Sequence, residues 1–451
     1  MELLRSVTHS YITRSSQSLN IARSRLFQTD RSPVNMATRL MNKLPIQENQ
    51  LGKVLSNITA TLRILNMQPA KKSSTFKARL LQFTAFYMLF QSIMIMFLGW
   101  HHWNFASRVA AMENLTYSFG FFSISTDLFL MSSRTSELIT MIHSKYYLFG
   151  VKIDNNEDVY RNKKQLVENM EKSCLDGVLL IEKVIKCVYL GYMTLPVVSI
   201  TFYLAKLSKI EDLRLPFIIF IPYIYPITLT FSSIQQYLLS TFITTVYVLY
   251  SAILTISVFK IMMLSVNNVL IEMELFRLNF DDLNLYFDYN GMEETSNVRI
   301  LRENIEGKDC EEESDLKKLM THVTKHHQII FRKVKILNSG LRFRLLYFNA
   351  FSCLQICLSI FSFMKGEATL KIKHGLVILG MIFNSFFFCD LGQKLQDEGE
   401  KIRLDLFYGS KWVGCPNWLI KMLFVMMLQS NNLPKIGLYN VFTLNRNNLR
   451  V

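Results

Sequence analysis

The side chains able to do chemistry in this chain are scattered, and none of them forms a reactive set. His101-His102 and His326-His327 are adjacent pairs. Neighbours on a helix point about 100° apart, so neither pair has the i, i+4 spacing that aims two imidazoles at one metal ion. They are expected as ordinary surface or helix-interface histidines. The seven cysteines (Cys174, Cys187, Cys310, Cys353, Cys357, Cys389 and Cys415) are odd in number and widely spaced, with no CxxC pair. That leaves neither a disulfide framework nor a zinc or redox motif. No P-loop, GxGxxG, HExxH or GxSxG occurs, so the enzymes that use those motifs have no footing here. The expectation is a protein that is not an enzyme and holds no metal or cofactor. Asp127 stands out as a carboxylate inside an apolar block; such a residue is either functional or a helix-end group near the interface. Gln235 and Gln236, at the start of another block, either orient a ligand or meet water.

The elements that must position these residues follow from composition. Half of the 451 residues are apolar, with 34 Phe, 22 Met and 19 Tyr against only 17 Gly and 9 Pro. So few turn formers disfavour sandwiches, barrels, disorder and collagen-like repeats. The net charge is +15. A nucleic-acid binder gathers its basic residues on one soluble face. Here they lie between apolar blocks, as in a polytopic membrane protein, and no nucleic-acid partner is expected.

A helix needs about 20 mostly apolar residues to cross a bilayer of about 30 Å. Six blocks qualify as candidate spans: Leu80–Trp100, Leu115–Met131, Val184–Leu204, Tyr237–Leu264, Leu345–Met364 and His374–Cys389. Lys186 and Lys260 lie near span ends and are expected to snorkel as anchors. The stretch Leu215–Leu229 is apolar but holds Pro216, Pro222 and Pro226, which interrupt helix hydrogen bonding. It reads as a loop over the outer mouth, with a kinked span as the alternative. With six spans and a cytoplasmic N-terminus, 41 Lys/Arg fall on the inner side and 7 on the outer, as the positive-inside rule requires. In that topology the sequon Asn114-Leu115-Thr116 faces outward but sits too close to the second span for dependable use.

The predicted organisation is all-α. Residues 1–79 form a basic cytoplasmic arm that ends in an amphipathic helix, with apolar residues at Leu51, Val54, Leu55, Ile58, Leu62 and Leu65 on one face. Residues 80–264 hold spans one to four, and 265–344 form a cytoplasmic loop and helix extension. Residues 345–389 hold spans five and six, and 390–451 form a cytoplasmic anchor. Asp281–Asp315 reads as an acidic, solvated insertion. The stripe Leu316, Leu319, Val323, Ile330, Val334, Leu337, Leu341 and Leu345 extends the fifth span into the cytoplasm. It needs partner helices to cover it. Pro416–Leu428 is too short to span and can supply one, with Pro416 in its first turn. The basic, serine-rich start of the arm also fits a mitochondrial transit peptide.

The order of segments resembles the insect odorant receptors. The residues that carry this are Leu65-Asn66-Met67-Gln68-Pro69, Leu215-Pro216 through Pro222-Tyr223, His326-His327-Gln328-Ile329-Ile330 and Phe351-Ser352-Cys353-Leu354-Gln355-Ile356-Cys357. The C-terminal run is the most specific part: Gly392, Glu398, Leu406-Phe407-Tyr408, Trp412, Leu428-Gln429-Ser430, Pro434, Gly437 and Phe442-Thr443-Leu444-Asn445. The TY–QF signature of the gustatory relatives is absent. The resemblance spans roughly residues 60–445 and implies a seven-helix, ligand-gated cation-channel subunit of the plasma membrane, assembled as a heterotetramer with a shared co-receptor. It also implies volatile ligands bound in the outer half of the bundle and a pore lined by a seventh span. Where members continue into that span, this sequence reads Asn445-Arg446-Asn447-Asn448-Leu449-Arg450-Val451. The expectation is a form that lacks the pore helix, holds ligand-pocket elements and does not conduct.

A pocket for small apolar ligands should be aromatic, with few polar groups. The outer-half candidates are Tyr117 and Phe121, Phe202 and Tyr203, Tyr237 and Phe242, and Phe361. The competing function is a secondary transporter or mitochondrial inner-membrane protein. It should show repeated halves and broken helices, and no internal repeat is visible.

Overall fold

The computed structural model describes residues 50–64, 75–99, 105–148, 157–205, 233–292, 309–365, 368–409, 416–431, 437–438 and 442–443. The chain divides into residues 1–53, of which only the last few are described, and a compact unit, Val54–Val451. The basic arm, the Leu65–Pro69 motif, His101-His102, the proline-rich stretch 215–229 and the terminal residues 444–451 lie outside the described residues.

Nine helices are described: α1 Gln50–Ile64, α2 Thr75–Gly99, α3 Phe105–Leu130, α4 Ser132–His143, α5 Glu157–Leu204, α6 Ile234–Met292, α7 Asp309–Lys365, α8 Ala368–Leu404 and α9 Asn417–Ser430. The apolar blocks fall within them, except that α2 is described only to Gly99 and α3 ends at Leu130, one residue before the end of its block. A π-helical turn, Asp405–Gly409, closes α8. A two-residue ribbon pairs Gly437–Leu438 antiparallel with Phe442–Thr443. The amphipathic stripe near the start is helical as far as Ile64, and Val54, Leu55 and Ile58 of α1 are buried; Leu65 lies outside the described residues.

Helices α5, α6 and α7 have 48, 59 and 57 residues. At 1.5 Å per residue each is more than twice as long as a bilayer of about 30 Å is thick. Each therefore has an apolar part and a polar extension. Among the described residues, three helices contain stretches long and apolar enough to cross a membrane, within Tyr160–Leu204, Ile234–Asn284 and Leu316–Met364. In the polar extension α6 is the central helix, with Val269, Ile271, Leu275 and Leu283 fully buried. The α7 stripe packs inward at the predicted spacing, with Leu319, Val323, Ile330, Leu337, Leu341 and Leu345 buried. Helix α9 covers part of it through Leu419, Leu423 and Met426, and Pro416 stands at its N-cap.

Two expectations change. The acidic insertion 281–315 is helical at both ends, because α6 continues to Met292 and α7 begins at Asp309. The continuation of α6 is held by buried Leu283 and by the Lys163–Asp282 ion pair. Lys260 does not snorkel: it is buried, and its Nζ lies 2.6 Å from Glu182 Oε2 of the neighbouring α5. Lys186 is exposed and shares the same carboxylate at 2.6 Å. A carboxylate within reach on the adjacent helix is a nearer partner than the headgroups.

Candidate ligand cavity

The apolar parts of α3, α5, α6, α7 and α8 surround a cavity of about 210 Å³. Its walls are aromatic. Phe121 of α3 meets Tyr247 of α6 edge-on at 4.9 Å between ring centroids, and Tyr117 meets Phe351 of α7 at 5.9 Å. Phe259 packs edge-on against Phe388 of α8 at 5.1 Å. Ile181, Val184, Ile185 and Tyr189 of α5 close another side. Among the described residues, no charged side chain lines the space. Among its polar groups, Tyr117 Oη accepts from Gln355 Nε2 at 3.4 Å and the Tyr189 hydroxyl pairs with Ser251 and Thr255, while the buried Tyr347 hydroxyl has no hydrogen-bond partner among the described residues.

Glycines set the spacing of these helices. A Cβ on Gly120 would lie 2.9 Å from the Phe351 ring, so α3 approaches α7 with no room to spare. Gly380 of α8 is the opposite case. It lines the cavity, and a Cβ there would meet nothing within 4 Å.

Below the cavity the bundle turns polar. Asp127, at the end of α3, accepts a hydrogen bond from Arg344 Nε of α7 at 2.6 Å, and both residues are buried, at 1% and 0% exposure. Arg344 Nη2 also donates to Thr135 Oγ1 of α4. Farther along, Glu272 of α6 is fully buried between two donors of α7, His326 Nε2 at 2.8 Å and Lys333 Nζ at 2.7 Å. Lys333 also donates to Asn268 Oδ1 at 2.8 Å. Asn279 Nδ2 donates to His326 Nδ1 at 2.9 Å, and its Oδ1 accepts from Lys163 of α5 at 2.8 Å. Since Asn279 offers a donor to Nδ1, the His326 proton sits on Nε2. Burial pushes the Glu272 carboxyl up, but the His326 hydrogen bond and the Lys333 charge outweigh it and hold it below its usual value. Burial lowers Lys333 despite Glu272. His327 faces the other way, with Nε2 3.1 Å from Ser430 Oγ of α9, and burial lowers it to about 4.

Of the seven residues singled out by sequence, Tyr117 and Phe121 line the cavity. Phe202, Phe242 and Phe361 turn outward, at 51%, 66% and 48% exposure. Tyr237 is buried, and Tyr203 is half-buried, but neither lines the cavity. Tyr237 is ten residues before Tyr247 on α6, about 15 Å along the helix axis. The cavity thus lies deeper than the helix ends where those five residues stand. Ser233 caps the start of α6: its Oγ accepts the backbone N–H of Gln236 at 3.4 Å. The sequon residue Asn114 is buried in the α2–α3 seam, where its Nδ2 donates to Ser92 Oγ at 3.0 Å. Sequence reasoning missed Glu272, Lys333 and Arg344; the available signal was a lone charge breaking an apolar stripe.

The profile of the 7tm odorant receptor family matches residues 107–447. The fold is similar to that of the insect olfactory receptor OR5 from Machilis hrabei, with TM-score 0.64 and 13% identity over 89% of this chain and 94% of that one. The same receptor in complex with eugenol gives TM-score 0.60 and 14% identity over the same shares. No curated protein matches the sequence significantly.

Proposed function

Since the chain belongs to the 7tm odorant receptor family, a family of multi-pass membrane receptors and not of enzymes, we propose that its ligands are small volatile molecules held in the cavity between α3, α5, α6, α7 and α8. The observation that carries this is the aromatic lining of that cavity, which has no charged member among the described residues. An engineered apolar cavity of about 150 Å³ holds benzene, so 210 Å³ suits a ligand of roughly 8 to 12 non-hydrogen atoms. Burying about 250 Å² of such a ligand at about 25 cal/mol per Å² supplies roughly 6 kcal/mol before the costs of association. Binding in the micromolar to millimolar range follows.

The receptor sits in the plasma membrane with its N-terminus and residues 265–344 and 390–451 in the cytoplasm, as the distribution of basic residues supports. It gates a cation channel as a heterotetramer with a co-receptor subunit. Family membership favours this over a secondary transporter or a mitochondrial inner-membrane protein. Tyr117 and Phe121 are the ligand contacts best supported, since both line the cavity.

The test uses the full chain in lipid nanodiscs with eugenol as probe, read by saturation-transfer NMR. Gly380→Leu places a side chain in open space. The expected result is binding by the native chain and at least a ten-fold loss in the filled variant, with its melting temperature maintained. No binding by the native chain, or equal binding by both, would overturn the proposal.

A further inference from the structure

We propose that Asp127, Arg344 and Thr135 form a positioning clasp. It fixes α3 against α7 at the base of the cavity and so sets which ligand sizes the cavity accepts. The inference rests on that cavity being the ligand site.

The clasp is directly joined to the cavity walls. Ile124, three residues before Asp127, and Tyr347, three residues after Arg344, both line the cavity. One helical turn thus separates each charged residue from a wall residue on its own helix. Above them α3 contributes Tyr117 and Phe121, and α7 contributes Phe348 and Phe351. The Gly120–Phe351 approach leaves no slack, so a slide of α3 along α7 by a fraction of an ångström has to move the Phe351 ring.

Where α3 and α7 border the void, the atoms that face it have no partners, so the close Gly120–Phe351 contact is not backed by packing on that side. Apolar surfaces also slide past one another at little cost. A directional contact is needed to select one register, and the clasp is such a contact. Arg344 Nε meets Asp127 Oδ2 at 2.6 Å while its Nη2 reaches Thr135, so one guanidinium ties α7 to both α3 and α4. The elbow between α3 and α4 is seated on α7 by two further contacts. Arg134 Nη1 donates to Ser339 O at 3.3 Å, and Gly340 admits Leu138 so closely that a Cβ would fall 2.6 Å from it. A buried ion pair is weak support for stability, since apolar residues of similar size often serve as well, and its best use is in specifying register. That asymmetry separates positioning from mere structure.

The experiment compares the native full chain in nanodiscs with the double variant Asp127→Leu, Arg344→Met, using toluene and eugenol as the small and large probes. Melting temperature is read alongside both affinities. A clasp that positions predicts a double variant that melts like the native chain but whose eugenol-to-toluene affinity ratio changes about ten-fold. Thr135→Val removes one arm and leaves the ion pair; it should shift the ratio about three-fold, and it decides the matter if the double variant melts early. Native ratios in a stable double variant, or in Thr135→Val when the double variant is unstable, would overturn the clasp. Binding of neither probe by the native chain would instead overturn the cavity as ligand site.

Discussion

Around Glu272, polar atoms inside the bundle close on one another; around Tyr247, ring faces enclose empty space. The same helices, α6 and α7, build both regions. In the polar extension four residues of α6 (Asn268, Glu272, Asn279 and Asp282) are matched to donors on α5 and α7. In the apolar part contacts are between rings, and the polar side chains mostly bond within their own helix, as Thr241, Thr245 and Ser257 do to carbonyls one turn back. The difference teaches where rigidity and vacancy are placed. Directional bonds hold one end of each helix, and undirected contacts leave room at the other.

The comparison can be broken most forcefully at Glu272. Glu272→Ala leaves Lys333 and His326 buried without their carboxylate, and it should cost about 3–5 kcal/mol in thermal unfolding. A loss near zero would mean that the network is not the stiff end of the molecule. Acid is the next probe. His327 is held at about 4 against an ordinary 6.5, so the unfolded chain takes its proton first. Its contribution is complete above pH 6.5, declines as the pH falls, and is gone below about 4. The slope in that window should approach 1.4 kcal/mol per pH unit, about what one proton gives. A melting series on His327→Gln should flatten it. Glu272, whose carboxyl is held low, adds a further loss that begins as the pH falls below its ordinary 4.5 and is complete once its folded value is passed.

Packing gives smaller effects of opposite sign in the two regions. Gly340→Val drives a side chain into Leu138 and should destabilise by about 1–3 kcal/mol. Gly380→Leu enters open space, replaces a poor helix former, and should stabilise by up to about 1 kcal/mol while excluding ligand. Equal penalties at both glycines, measured by thermal melts, would erase the distinction between a filled region and a vacant one.

Much of the fold is legible in the amino-acid sequence. The six apolar blocks, the α7 stripe from Leu316 to Leu345 and the helix after Pro416 rest on length and 3.6-residue periodicity, which burial enforces. The helical ends of the acidic stretch are not legible, because solvent-facing residues carry no periodicity: Asp281 and Met292 lie in helix through continuity with Leu283 and the buried α6 core. The cavity is legible only in part. In a soluble protein an aromatic residue reports the interior; in a membrane protein Phe242 is equally content against lipid, and five of the seven chosen residues do not line the cavity. Asp127 is visible as a charge out of place. Its partner is not, since Arg344 lies 217 residues away and only folding brings the two together.

The length of α6 has a mechanical consequence. Its 59 residues make a rod of about 88 Å, and about 66 Å of it separate Val248 at the cavity from Met292 at the far end. A stiff rod magnifies. If the ring cluster around Tyr247 tilts the helix by about 3°, its distant tip swings by roughly 3 Å, a displacement much larger than the change at the fulcrum.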